Sequence, residues 1–587
     1  MEFMRLRGIG VSPGIAMGEA RLTERIIFTS RKENILAERV DEELGRLQTA
    51  VARTKVELTE VRDKIREKVG VEHAFIFEAH LLILEDKTLG AALKQIIKEE
   101  KVKAEWALSE VHTHYQKLFD SISDEYFKQR KSDVSDVLAK IYRNLEGAPE
   151  ERKEDDGEKI LVAHDLLPSE AAARLSQGNV LAVALDMGGR TSHAAILARS
   201  LNIPTVVGLH DGTQRIKGGD FLIVDGTDGE VIINPPPAVQ KEFQSKIAKY
   251  ENYRRELKKV AKWKSQTLDE VRFYPMANIE LPEEISHAFS YGAEGVGLFR
   301  SEFIYLQRST LPTEENHFEI YSRLAKEAYP LPVYVRTIDI GGEKTLPQLQ
   351  IEQEPNPALG LRAIRFSLRN RDLFKIQLRA ILRASVLKNL RILIPMITEV
   401  EEIGEVKYLF GEIQEELKSQ KIKFDEKIPL GVMIEVPAAA AITDILVKEV
   451  DFLSIGTNDL IQYYLAVDRS NEFVSYLYKP LHPSVLRLIR FIIGAAIKEG
   501  KDVAVCGEMA ADPLLAMVLL GFGLKKFSMN PIFIPRVKKA LRAVEYRTVR
   551  RVVNQAMGLK TAQEIEECLI EKLLVKHPDA FLMELPK

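Results

Sequence analysis

The chain has 587 residues, several times the size of one ordinary domain, so three or four units are expected. Hydrophobic residues make up 45% and charged residues 29%, with a net charge of −3, a balance that excludes a basic protein built to hold nucleic acid or an acidic membrane. No apolar run approaches the ~18 residues of a membrane span, and residues 1–5 lack the apolar core of a secretory signal, so a large, multidomain, cytoplasmic enzyme is expected.

In chain order, Gly8-Ile9-Gly10-Val11-Ser12-Pro13-Gly14 is turn-rich and non-helical and is expected to pair with strands beyond residue 150. From about Ile35 to Asn144 the apolar residues recur at helical spacing: Leu36, Val40, Leu44, Leu47 and Val51, then Leu58, Val61 and Ile65. Gly70 punctuates this block, Asp86 is positioned to cap a further helix, and Gly147 closes it ahead of a charged stretch at 150–157. The block reads as an antiparallel helical bundle inserted into a second, α/β unit. The period then changes. Residues 159–163, 180–185 and 204–207 are short β-type runs, and 221–224 meets 230–233 across a Gly-rich hairpin turn. Pro235-Pro236-Pro237 marks a boundary, and the charged helical stretch from Val239 to Ser265 reads as a solvated linker helix rather than a nucleic-acid contact. The expected units are 1–30 with 147–235, 31–146, the linker 236–265, and 266–587.

The last unit carries eight apolar runs alternating with helical segments: 273–279, 295–299, 333–338, 392–397, 431–436, 452–455, 503–505 and 526–529. That is the count and order of a (β/α)8 barrel of the TIM type, whose sites form at the C-terminal strand ends. Polar residues stand at those ends: Asn278, Arg300, Arg336 with Asp339, Glu435, Asn458 with Asp459, Cys506 with Glu508, and Asn530. Arg300, Arg336, Arg362 and Arg469 suit a small, highly charged anion, because guanidinium binds phosphate or carboxylate bidentately; each alone also fits a surface position. Glu435 and Asp459 are hard oxygen ligands suited to Mg²⁺, with an Arg–carboxylate network as the alternative. There are two cysteines. Cys506 fits either an inert buried thiol or, among the arginines, a proton donor to carbon; Cys568 fits an apolar helix face.

A second constellation is Asp186-Met187-Gly188-Gly189-Arg190-Thr191-Ser192-His193, between a strand and a helix. The glycines permit a tight turn, and His193 near a helix N-terminus suits a nucleophile whose phosphoryl group backbone N–H groups would hold. A capping or metal-site histidine is the alternative. No Walker loop and no G-x-G-x-x-G after a strand occurs, so the usual ATP and NAD signatures are missing.

At Gly188-Gly189-Arg190-Thr191-Ser192-His193 and Gly456-Thr457-Asn458-Asp459-Leu460-Ile461-Gln462-Tyr463 the sequence resembles enzyme I of the bacterial sugar phosphotransferase system, the phosphoenolpyruvate-protein phosphotransferases. The likeness extends to Gly10-Val11-Ser12-Pro13-Gly14, Phe77 to Asp86, Leu298-Phe299-Arg300-Ser301-Glu302-Phe303, Val505-Cys506-Gly507-Glu508-Met509 and Phe527-Ser528-Met529-Asn530. The resemblance implies a swivelling phosphohistidine domain and autophosphorylation by phosphoenolpyruvate (PEP) with Mg²⁺, then transfer to a histidine of the carrier HPr. By that likeness His193 is the phosphorylated histidine and Cys506 the proton donor to the enolate. Arg300, Arg336, Arg362, Asn458, Asp459 and Arg469 bind PEP, Glu435 and Asp459 hold the metal, and the HPr face lies around His80 and Arg130 of the helical insertion. It also implies homodimers formed through the barrel. Pyruvate phosphate dikinase and PEP synthase share the histidine and barrel modules but need an ATP-binding domain, and the helical block ahead of the histidine unit has the wrong period for one. Two departures stand out: Leu166-Leu167-Pro168-Ser169-Glu170-Ala171 lacks two hydroxyls usual in the family, and Ser470 replaces a usual glycine after Arg469.

Overall fold

The computed structural model describes residues 3–575 apart from 24–30, 69–70, 121–124, 148–156, 176–177, 190–191, 202, 307–309, 342–353, 355, 470 and 472–473. Its contacts divide the chain into two compact units, Met1–Asn252 and Tyr253–Lys587.

In the first unit, strands β1 (Met4–Arg7), β2 (Ile9–Ser12), β3 (Ile15–Leu22), β4 (Lys159–Ala163), β5 (Val180–Leu185), β6 (Thr205–Val207), β7 (Phe221–Asp225) and β8 (Glu230–Ile233) form one sheet in the order β1-β8-β7-β3-β4-β5-β6-β2. The N-terminal stretch pairs as expected: β2 runs antiparallel to β6, β1 to β8, and β3 joins β4 in parallel. Between β3 and β4 stand helices α1 (Val40–Lys68), α2 (Val71–Leu84), α3 (Lys87–Glu100), α4 (Ala104–Asp120) and α5 (Glu125–Glu146). Their apolar rows close on one core with Leu47, Leu58, Ile65, Phe77, Leu93 and Leu138. Asp86 caps α3, accepting from Thr88 N at 2.6 Å and Leu89 N at 3.3 Å. Gly147, at φ +64°, ends the block in a conformation that favours glycine. Gly70 lies outside the described residues.

Leu36 departs from the expected row and is 70% exposed. A 3₁₀ turn over Ala37–Arg39 precedes α1, so the 3.6-residue period does not yet hold at Leu36. The bundle is fastened to the sheet domain through α6 (Pro168–Leu175), whose Ser169 donates from N and Oγ to Asp136 of α5 at 2.7 and 2.6 Å. Helix α7 (His193–Ser200) follows β5, the helical turn α8 (Gly212–Arg215) follows β6, and α9 (Pro237–Val260) begins after β8. Pro237 opens α9, a position that needs no N–H donor.

The second unit is a closed barrel of eight parallel strands: β9 (Tyr274–Ile279), β10 (Val296–Arg300), β11 (Val333–Arg336), β12 (Leu390–Ile394), β13 (Leu430–Ile434), β14 (Phe452–Ile455), β15 (Asp502–Val505) and β16 (Lys526–Met529), with β16 pairing back to β9. All eight expected runs are strands. Met276, Leu298, Tyr334, Leu393, Met433, Phe452 and Cys506 fill the interior, and the helices pack a larger apolar shell outside. Gly431 is required by this filling, because a Cβ there would enter the Phe452 ring.

Candidate active site

Strand-end residues converge on one cavity of about 360 Å³ at the C-terminal face of the barrel. Arg300, Arg336, Asp339, Arg362, Glu435, Asn458, Asp459, Arg469 and Cys506 all line it. Arg300 ends β10 and donates to Glu280 Oε1 at 2.8 Å. Arg336 ends β11, almost fully buried, and its Nη2 donates to Glu302 Oε1 at 2.9 Å while Nη1 pairs with Asp339 Oδ2 at 3.0 Å. The same Glu302 oxygen accepts from Asp339 N at 2.9 Å, so one buried carboxylate fixes both the guanidinium and the loop after β11. Arg336 Nε is buried with no hydrogen-bond partner among the described residues.

Arg362 precedes the helix Ile364–Arg369 and is held from three sides. It grips Asp339 bidentately at 2.9 and 3.1 Å, donates to Asp459 Oδ2 at 2.8 Å, and donates to the Tyr463 hydroxyl at 3.0 Å. Tyr463 in turn donates to Ala358 O at 2.6 Å. Gly341, at φ +111°, lets the chain pass against Arg362, whose Cα a Cβ there would meet at 2.7 Å. Burial works against the charge on Arg336 and Arg362, but Glu302, Asp339 and Asp459 outweigh it and both guanidinium pKa values rise. Both remain cations at any working pH.

Glu435 follows β13, fully buried, with Oε1 accepting from Met396 N at 2.7 Å. Its pKa is raised, first by burial and then by Asp459 and Asp339, with Arg336 and Arg362 opposing. Asn458 and Asp459 occupy the first turn of the helix Thr457–Leu465 after β14. Asn458 Oδ1 accepts from Glu508 N at 2.9 Å, and Glu508 Oε1 accepts from Arg469 Nη1 at 3.2 Å, linking the ends of β14 and β15. Cys506 follows β15, its thiol directed to Ile455 O at 3.6 Å. Burial, with Glu435 adding to it, pushes the thiol up to about 11 against the pull of Ser454, Arg336 and Arg300, so it is held protonated near neutral pH. Asn278 Nδ2 donates to Cys506 O at 3.0 Å and its Oδ1 accepts from Ser528 at 2.6 Å, joining β9, β15 and β16.

In the first unit His193 is the opening residue of α7, with Ser192 as N-cap accepting from Ala195 N at 3.4 Å. The loop enters through Gly188 at φ +106°. Beside it Asp186 is fully spent on Thr213, through N at 3.1 Å and the hydroxyl, and on His164 Nδ1 at 3.3 Å. Arg190, Thr191 and the side chain of His193 lie outside the described residues. Of the two missing hydroxyls, the one at Ala171 falls on a fully buried helix position packed in the core, whereas Leu167 sits half-buried just ahead of α6.

Two expectations fare differently. His80 does not present a surface: it is fully buried, with Nε2 at 3.3 Å from Asp133 and Nδ1 at 3.6 Å from Asp136, so it braces α2 against α5. Arg130 belongs to α5, but its side chain lies outside the described residues, as does Ser470. Glu302 and Tyr463 went unassigned in the sequence. The available signal was their place in the strand-end stretches 298–303 and 456–463.

The family model for the PEP-binding domain of PEP-utilising enzymes matches residues 254–546, that for their N-terminal domain residues 7–130, and that for their mobile domain residues 156–229. The phosphoenolpyruvate-protein phosphotransferase of Geobacillus stearothermophilus is 43% identical over 561 residues, covering 95% of this chain and 96% of that protein. The one from Priestia megaterium is 41% identical over 563 residues, covering 96% and 98%. The solution structure of an Enzyme I (nEIt) protein, at 39% identity and a TM-score of 0.36, covers 42% of this chain and 99% of that one. With its barrel, its sheet domain and relatives this similar over nearly their whole length, the chain belongs to the phosphoenolpyruvate-protein phosphotransferase family of PEP-utilising enzymes.

Proposed function

We propose that this enzyme transfers the phosphoryl group of PEP to its own His193 and then to a histidine of the carrier HPr, releasing pyruvate as the first step of sugar uptake. The observation that carries the reading is the single barrel-mouth cavity lined by four arginines, two carboxylates on successive strand ends and a protonated thiol. PEP presents a phosphate and a carboxylate, which Arg300, Arg336, Arg362 and Arg469 would clamp, with Asn458 and Arg336 Nε, which has no partner among the described residues, as further donors. The imidazole of His193 attacks phosphorus; the N–P bond forms as the bond to the enolate oxygen breaks, a step that needs positioning and charge neutralisation above all. Cys506 then gives its proton to the enolate carbon, completing pyruvate, and the thiolate recovers a proton from water.

Mg²⁺ fits the donor set. Four arginines and the four carboxylates of Asp339, Glu435, Asp459 and Asp468 line the cavity, and the Glu435 pKa is raised first by burial and then by the charges of Asp459 and Asp339, repulsion that a cation would relieve. No group of three His, Cys, Asp or Glu side chains is arranged to cage a metal among the described residues, as an ion that keeps water and substrate oxygens does not require. Glu435 and Asp459 would hold it, and when bound it would neutralise charge on the phosphoryl oxygens.

The domain roles follow the same reading: 1–30 with 147–235 carries the phosphohistidine, 31–146 docks HPr, 236–265 is the linker, and 266–587 binds PEP and dimerises. His193 must visit both PEP and HPr, which calls for a swing of its domain on the linker. No described helix is long and apolar enough to cross a membrane; a cytoplasmic location is part of the same proposal. The test is peptide mapping after incubation with PEP and Mg²⁺. Phosphoryl on the peptide bearing His193 is expected; phosphoryl on any other residue would overturn the assignment.

A further inference from the structure

A second concavity, of about 690 Å³, opens on the barrel unit between the loop 267–271 and the helix Tyr546–Ala556. Asp269 and Val271 lie just ahead of β9, so this pocket sits at the N-terminal rim, opposite the mouth that holds Arg300 and Cys506. Its lining includes Tyr546, Asn554, Gln555 and three arginines, Arg547, Arg550 and Arg551.

The arginines are arranged at a cost. They stand at i, i+3 and i+4 on one helix, where like charges repel, and Arg547 lies in its first turn, where the helix dipole disfavours a cation. None of the three guanidinium groups makes a hydrogen bond or ion pair with any described residue. Exposed arginines on the barrel's outer helices are otherwise commonly paired, as Arg371 is with Glu405 at 2.6 Å and Arg323 with Glu327 at 2.6 Å. The one acid in the pocket does not relieve them. Asp269 accepts from Tyr546 N at 2.8 Å, Arg547 N at 3.2 Å and Thr267 Oγ1 at 2.6 Å, so its oxygens already hold backbone and hydroxyl donors. Those bonds, with Val271 N to Thr267 Oγ1 at 3.0 Å and Leu268 N to Val544 O at 3.0 Å, make the opposite wall a fixed loop rather than a loose one. The concavity is shallow and open to solvent, its arginines are exposed along one rigid wall, and it carries three cations against one committed carboxylate.

We propose that this pocket is a binding site for a small molecule carrying two or more anionic groups, phosphate or carboxylate, separate from the PEP site. Guanidinium groups on one helix face match such oxygens bidentately, and amide donors from Asn554 and Gln555 stand beside them. Because the pocket is at the far rim, its occupant binds without competing for PEP.

The test is calorimetric titration of the full-length enzyme with two probes, inorganic pyrophosphate and citrate, each in an Arg300→Gln background that weakens anion binding at the barrel mouth without touching the far-rim pocket. Saturable one-site binding of at least one probe is expected, weakened at least about ten-fold in Arg550→Gln/Arg551→Gln and less in Arg550→Lys/Arg551→Lys, which keeps the charge but not the fork. The probe that binds identifies phosphate or carboxylate as the preferred chemistry. Without a probe the Gln double variant is expected to melt no lower than the parent, since it removes repulsion. Absence of saturable binding by both probes, or binding that survives the Gln double variant unchanged, would overturn the proposal.

Discussion

Lys538 lies in the helix Ile534–Arg542 and is only 2% exposed, its Nζ donating to Ala261 O at 3.0 Å in the turn after α9. Burial lowers its ammonium pKa from 10.5 to about 8, with Glu294 opposing and Arg272 and Arg542 adding to the fall. A displacement of that size corresponds to about 3 kcal/mol against the charged form in the folded state. Replacing Lys538 with Met removes that penalty but forfeits the hydrogen bond to Ala261, worth about 1 kcal/mol. At pH 7 the variant is therefore expected to be more stable by about 2 kcal/mol, or a rise of roughly 2–5 °C in the barrel's melting transition. The sign depends on pH. Between about 8 and 10.5 the unfolded chain holds the proton that the folded chain has released, so wild-type stability climbs as pH rises through that window. The advantage of Lys538→Met is expected to shrink through it and vanish or reverse near pH 10.5. Scanning calorimetry of both proteins at pH 7 and pH 10.5 checks this. A variant less stable than wild type at pH 7, or a difference that does not change with pH, would refute the reasoning.

Glu302→Gln strips Arg336 of one of its two carboxylate partners in a buried setting, and kcat/KM for PEP is expected to fall by about 100-fold or more, from the 3–5 kcal/mol typical of breaking such a pair; steady-state pyruvate release measures it, and partial rescue by Glu302→Asp is expected. Tyr463→Phe loses the hydroxyl between Arg362 and Ala358, and KM for PEP is expected to rise about ten-fold, the scale of one or two hydrogen bonds, with kcat less affected. Cys506→Ala is expected to slow pyruvate formation by about 10²–10⁴-fold, read in a coupled pyruvate assay. Because the thiol's proton is lost only as pH rises through about 11, Cys506 is expected to add no alkaline limb to the rate profile below pH 10. Gly431→Ala drives a methyl into Phe452, and denaturant unfolding is expected to show the barrel weakened by about 1–3 kcal/mol.

The barrel was readable because parallel strands are covered on both faces and appear as short continuous apolar runs, such as 392–397 and 452–455. Arg300, Arg336, Glu435 and Asp459 were readable from their places at or just past such runs, whereas Arg362 and Arg469 stand in turns away from a strand end. Their partnerships were not: Arg336 meets Glu302 across 34 residues and Arg362 meets Tyr463 across 101, distances at which no local period applies. His80 was misread by likeness although its spacing held the answer. It stands three residues after Phe77 and four before Leu84, both buried, and that row of α2 faces the bundle core. Leu36 failed for the opposite reason, being counted in a helical row before the helix begins.

The most direct measurement is transfer of ³²P from PEP in the presence of Mg²⁺ to the wild-type enzyme and to His193→Ala, followed by addition of HPr. Acid-labile, alkali-stable label on the wild type alone, chased onto HPr, is the predicted result. Label that fails to form on the wild type, or that persists on His193→Ala, would contradict the account.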